Sequence, residues 1–91
     1  MPEETVGRLV RRLRSARGLT QGQLATYANV PRSWLSLLEL GRITQPDRDR
    51  LEQLAVVLGV PREVLWAAAG YRTERIPPPA ARKPDEIIRE L

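Results

Sequence analysis

The chain has 91 residues, enough for one small domain, and its 15 basic and 11 acidic residues give a net charge of +4. It contains neither cysteine nor histidine, which excludes disulfides and thiolate metal sites and removes the commonest general base and the commonest metal ligand. The hydrophobic fraction of 42% is ordinary for a folded protein, and no apolar run approaches the roughly 20 residues of a membrane span.

The first helix is expected over about 4–17. Val6, Leu9, Val10, Leu13 and Ala16 follow the i, i+3, i+4, i+7 spacing of one buried face, and Gly18 is a natural stop. Acidic residues precede this helix and no secretory signal is visible, so a cytoplasmic location is expected. Thr20 is set to cap a second helix, with Gln23 at the capping-box spacing, and Leu24, Ala25 and Ala28 give that helix one apolar side. Asn29 tolerates the left-handed backbone needed at a helix C-terminus. Pro31 suits the start of a third helix, and Gly41 ends it. Two short helices joined by a three- to four-residue turn form the helix-turn-helix unit, whose second helix can lie in the DNA major groove.

On the wheel of the third helix, Arg32, Ser33, Ser36, Leu37 and Leu40 share one side, while Trp34, Leu35 and Leu38 share the other. The second side has the character of a packing face and places Trp34 in the core. The first has no evident internal partner and is left for solvent or a ligand, although any amphipathic helix of a bundle shows the same division.

Residues 42–46 read as a loop ending in proline. Asp47 is set to cap a fourth helix that runs to about 58, with the stripe Leu51, Leu54, Ala55 and Leu58 and a stop at Gly59. Val60-Pro61 opens a fifth helix, expected to carry Val64, Leu65 and Ala68 inward and to end at Gly70. The expected fold class is therefore all-α: a compact five-helix bundle over 1–71 with short connections and no convincing strand. From 72 the composition changes to a Pro-rich extension, 72–91, with Pro77–Pro79 consecutive. Its last residues, DEIIREL, spell either two turns of a short sixth helix, for dimerisation or packing, or an unstructured tail.

Charge is unevenly spread. Residues 1–18 carry five arginines against Glu3 and Glu4, whereas the 51–70 stretch is slightly acidic. With an isoelectric point near 10.6, the N-terminal half has the electrostatics of a nucleic-acid binder, or merely of a soluble arginine-rich surface. No nucleophile lies beside a base, and neither a Gly-rich phosphate loop nor a metal-ligand cluster is present, so no catalytic residue, cofactor or metal is expected.

The segments LRSARGLTQGQLA at 13–25, VPRSWLSLLELG at 30–41, the proline at 46 and LEQLAVVLGVPREVLWAAAGY at 51–71 together resemble the lambda-repressor-like, Cro/XRE-type helix-turn-helix transcriptional regulators. The resemblance covers residues 5–71. It implies a five-helix bundle that binds palindromic double-stranded DNA as a homodimer, commonly as a repressor. It assigns base reading to Arg32, Ser33, Ser36 and Leu37, and phosphate contacts to Thr20, Gln21, Leu40 and Arg42. It matches Arg14 and Glu39 to a structural salt bridge between the first and third helices, and gives Gln21 a second task, bracing the recognition helix. Arg32 can donate two hydrogen bonds to guanine O6 and N7. Leu37 and Leu40 depart from the polar residues usual at their positions. They point either to thymine-methyl contact or to a protein-interaction module on the same scaffold: an antitoxin-like partner, an RNA polymerase adaptor or an inhibitor that engages through these leucines and the tail.

Overall fold

The computed structural model describes residues 4–72. It contains five helices, α1 (Val6–Ala16), α2 (Gln21–Ala28), α3 (Arg32–Glu39), α4 (Arg48–Leu58) and α5 (Arg62–Ala68), and no strand among the described residues. The Pro-rich extension beyond Arg72, with its expected sixth helix, lies outside the described residues.

Each boundary has a local cause. α1 starts later than the spacing suggested because Thr5 stays extended and its hydroxyl accepts the Arg8 N–H at 3.2 Å. Its apolar stripe drifts off the core towards the C-terminus: Val6, Leu9 and Val10 are buried, Leu13 is half-buried and Ala16 is exposed. α2 carries both halves of the capping box, with the Gln23 N–H donating to the Thr20 hydroxyl at 3.1 Å and the Thr20 N–H to the Gln23 side chain at 2.9 Å. Asn29 ends it at φ 58°, and the Val30 N–H reaches back to the Ala25 carbonyl at 3.0 Å. This is the Schellman pairing, which turns the chain and buries Val30. Pro31 then occupies the N-cap of α3 rather than its first turn. Asp47 holds the N-cap position of α4, yet its carboxylate makes no capping bond and lies 4.0 Å from Arg50 instead.

Val10, Leu24, Leu35, Leu51, Leu54 and Leu65 are completely buried, one or more from every helix. α4 packs on α1, α2 and α5, while α1 also packs on α3 and α5. The α1–α3 contact is backbone to backbone. A Cβ built on Gly7 would run into the Leu38 carbonyl oxygen and stand 3.2 Å from the Glu39 Cα.

In α5 the expected inward set is corrected. Leu65 and Ala68 face the bundle, but Val64 is exposed and Trp66 is buried in its place. The indole is held by polar as well as apolar contacts: its N–H donates to the Arg48 carbonyl at 3.1 Å, and the Arg48 and Arg62 guanidinia lie 4.5 and 5.0 Å from the ring centre. Tyr71 closes the same corner by donating its hydroxyl to the carbonyl of buried Pro46 at 2.7 Å.

Candidate nucleic-acid interface

α3 is divided lengthwise. Leu35 and Leu38 are buried, and Trp34 is half-buried against the core with the Arg50 guanidinium 5.2 Å from its ring centre. On the opposite side Arg32 and Ser33 are exposed, Ser36 is half-buried, and Leu37 and Leu40 retain 45% and 65% of their surface. Arg42 follows in the turn, its backbone N–H bonded to the Leu37 carbonyl at 2.9 Å. The Arg32 and Arg42 guanidinia have no hydrogen-bond or ion-pair partner among the described residues.

Three constraints set the angle at which this face is presented. The first is the Schellman turn at Asn29–Val30, which leaves no slack between α2 and α3. The second is the Gly7–Leu38 approach. The third is a polar brace at the far end of α3. Arg14 forks onto the Glu39 carboxylate with two bonds of 2.8 Å, and its remaining nitrogen donates to the Leu19 carbonyl at 2.9 Å. Gln21 adds a bond from its side-chain amide to Glu39 at 3.1 Å. The Glu39 side chain is only 4% exposed, so its charge depends on these donors. The hydrogen bonds to Glu39 hold the Arg14 guanidinium above its usual pKa despite burial. Glu39 thus ties the C-terminal end of α3 to α1 and to the first residue of α2.

The positions singled out in the sequence fall into three groups by exposure. Arg32, Ser33, Leu37, Leu40 and Arg42 are open. Thr20 is exposed, its hydroxyl accepting in the α2 cap and keeping its O–H to donate, and Gln21 has committed one amide N–H to Glu39, leaving the other. Arg14 and Glu39 lie beneath. Gly7 and the third Arg14 bond, to Leu19, were not anticipated. A glycine inside an otherwise well-formed helix was the available signal for the first. A backbone acceptor has no sequence signature.

The helix-turn-helix domain family matches residues 5–67. The chain belongs to that family. The five-helix, strand-free architecture and the lambda-repressor-like, Cro/XRE-type resemblance agree with this membership. Among curated relatives, the uncharacterised HTH-type transcriptional regulator RghRB of Bacillus subtilis (strain 168) is 43% identical over 65 residues, which is 71% of this chain and 47% of that protein. The HTH-type transcriptional repressor RghR of the same strain is 39% identical over 71 residues, 78% of this chain and 53% of that protein. The chain therefore spans about half the length of the curated relatives it matches. The structure of SinR, a master regulator for biofilm formation, in complex with DNA superposes with a TM-score of 0.65 at 31% identity, covering 67% of this chain and 97% of that one. The N-terminal DNA-binding domain of SinR from Bacillus subtilis gives 0.64 at 32% identity, covering 66% and 87%. SinR in complex with the SinI protein gives 0.65 at 31%, covering 67% and 59%. This is a helix-turn-helix family and not an enzyme family; no helix among the described residues is long and apolar enough to cross a membrane.

Proposed function

We propose that this chain is a sequence-specific double-stranded DNA-binding regulator of transcription, a repressor that acts as a homodimer on a palindromic operator, with α3 in the major groove. The observation that carries the reading is the division of α3: its inner side is buried and its end is clamped through Glu39, while Arg32, Ser33 and Leu37 stand clear on the outside. A helix held so firmly behind an open polar edge has the geometry of a groove reader. Arg32, at the N-terminal end of α3, takes the guanine edge, with Ser33 and Ser36 adding weaker polar readout and Leu37 packing on a thymine methyl. Thr20, Gln21, Leu40 and Arg42 flank this strip and rest on the sugar-phosphate backbone, which fixes register without reading sequence. The similarity to SinR, whose structure holds DNA, supports the reading, as does the repressor RghR. Two copies would place their α3 helices about one DNA turn, roughly 34 Å, apart.

Selection of bound duplexes from a random pool tests DNA binding, site symmetry and half-site spacing together. Arg32→Ala should lower affinity for the selected site by about 1–3 kcal/mol and relax one guanine preference. If the variant distinguishes that site from scrambled DNA as well as the parent does, Arg32 does not read bases.

A second reading rests on the exposed pair Leu37 and Leu40. On that reading the same face binds another protein. Salt separates the two, because binding through several phosphates weakens steeply between about 50 and 200 mM salt, while a leucine-centred contact changes little.

A further inference from the structure

Four arginines project from α1 and a fifth, Arg17, sits at its C-cap, and the structure sorts them. Arg12 forks onto Glu4 at 3.0 and 2.9 Å, Arg14 is spent on Glu39 and the Leu19 carbonyl, and Arg17 donates to the Leu58 carbonyl at 3.1 Å. The guanidinia of Arg8 and Arg11 have no hydrogen-bond or ion-pair partner among the described residues. Both are exposed, one helical turn apart on one face of α1. With Arg12, Ser15, Glu4 and Glu39 they line an open groove of about 370 Å³. The two carboxylates in that groove are already neutralised, Glu4 by Arg12 and Glu39 by Arg14. Arg8 also feels the Glu4 charge at longer range, but neither Arg8 nor Arg11 has a carboxylate within ion-pair distance among the described residues, so the groove keeps a net positive charge.

The groove is not remote from α3. Its Glu39 wall is the same carboxylate that receives Gln21, and Leu40, Gly41 and Arg42 follow Glu39 directly in the chain. We infer that the groove on α1 extends the DNA-contacting surface, with Arg8 and Arg11 each taking a phosphodiester oxygen of the strand that passes Gln21 and Arg42. The inference rests on the DNA-binding reading above and enlarges its footprint. Guanidinium suits the task because it stays charged and presents a planar fork to phosphate oxygens. Such contacts carry no sequence information. They raise affinity for every duplex and hold the register in which α3 reads. The sequence showed five arginines together. Only the folded arrangement shows that three are engaged and two are available.

The test uses the full chain and a duplex that the parent itself selects from a random pool. The affinities of the parent, Arg8→Gln/Arg11→Gln, Arg8→Lys/Arg11→Lys and Arg62→Gln are measured across a salt series, with thermal melting as the check on folding. Removing one phosphate-binding charge should flatten the slope of log affinity against log salt by about 0.9, so the double glutamine variant should lose about 12-fold less affinity than the parent between 50 and 200 mM. The preference for the selected site over scrambled DNA should be unchanged. The lysine pair should keep the parental slope, and ethylation interference should show phosphates whose modification blocks the parent but not the glutamine pair. Arg62, held on α5 by Glu52 and Glu63, should have no effect on the slope. A parental slope in the glutamine pair, or an equal flattening in Arg62→Gln, overturns the inference while leaving α3 as a DNA reader. If the parent binds no duplex at all, the DNA reading falls and takes the α1 track with it.

Discussion

The Glu39 brace makes the most exacting prediction, because its two charges are buried to different depths. The Glu39 side chain is 4% exposed and the Arg14 side chain 15%. Removing one member of a fully buried ion pair costs about 3–5 kcal/mol, since the survivor is left charged and undersolvated. In Glu39→Ala the orphan is Arg14, which keeps its bond to the Leu19 carbonyl and the better access to water. We expect that variant to lose about 2–3 kcal/mol, a fall in melting temperature of roughly 8–24 °C for a domain this size. In Arg14→Ala the orphan is Glu39, left with the single Gln21 amide at 3.1 Å, and the cost should sit at the upper end, about 3–5 kcal/mol. Against a total stability of roughly 5–10 kcal/mol, that is a large fraction. Replacing both by leucine removes both desolvation penalties and should cost less than either single change. Urea unfolding of the parent, the two alanine variants and Arg14→Ala/Glu39→Ala closes a double-mutant cycle that measures the coupling, with the leucine pair unfolded beside them. Two single variants that each lose less than about 1 kcal/mol, with additive effects, would show that the pair behaves as a surface contact and would refute the argument. The hydrogen bonds that raise the Arg14 pKa add no pH dependence in the working range: a raised cationic pKa stabilises at every pH below the ordinary arginine value, and the effect is lost only in strong alkali.

Three further outcomes follow from local geometry. Gly7→Ala should destabilise by about 1–3 kcal/mol in thermal unfolding even though alanine is the better helix former, because the new methyl meets the Leu38 carbonyl; a stabilised variant would mean that α1 and α3 do not touch there. Asn29→Gly should be near neutral or slightly stabilising and Asn29→Ala should cost about 1–2 kcal/mol, because the residue sits at φ 58°, where a Cβ crowds the next carbonyl; equal melting temperatures would refute this. The hydrogen bonds from Arg12 hold the Glu4 carboxyl below its usual pKa, so this pair stabilises above the ordinary carboxylate range and the gain is lost as pH falls through the lowered value. Unfolding measured at neutral and acid pH should show the small penalty of Arg12→Gln at neutral pH only, and a penalty that persists in acid would assign it to packing.

The helical elements were legible because their causes are local. The periodicity of α1 to α4, the Thr20–Gln23 capping box and the left-handed Asn29 are set by residues within one or two turns of each other; the capping box and Asn29 stand where the spacing placed them, while α1 starts at Val6 and its stripe leaves the core by Ala16. The outward face of α3 was legible for the same reason: a helix with Leu35 and Leu38 on one side must present Arg32, Ser33 and Leu37 on the other. Tertiary structure alone decided matters that depend on distant partners. In the seven-residue α5 the periodicity was too short to fix its phase, and the side chain that filled the space beside Arg48 was Trp66 rather than Val64. The approach of Gly7 to Leu38 joins residues 31 positions apart, and the choice of Arg14 for Glu39, with Arg8 and Arg11 left unpaired, is a matter of which guanidinia the packing of α1 on α3 brings within reach. Local sequence determines which helices form and which sides are apolar, because helix energetics are short-ranged. Which charges are spent inside the protein and which remain for a partner is settled only when the helices meet.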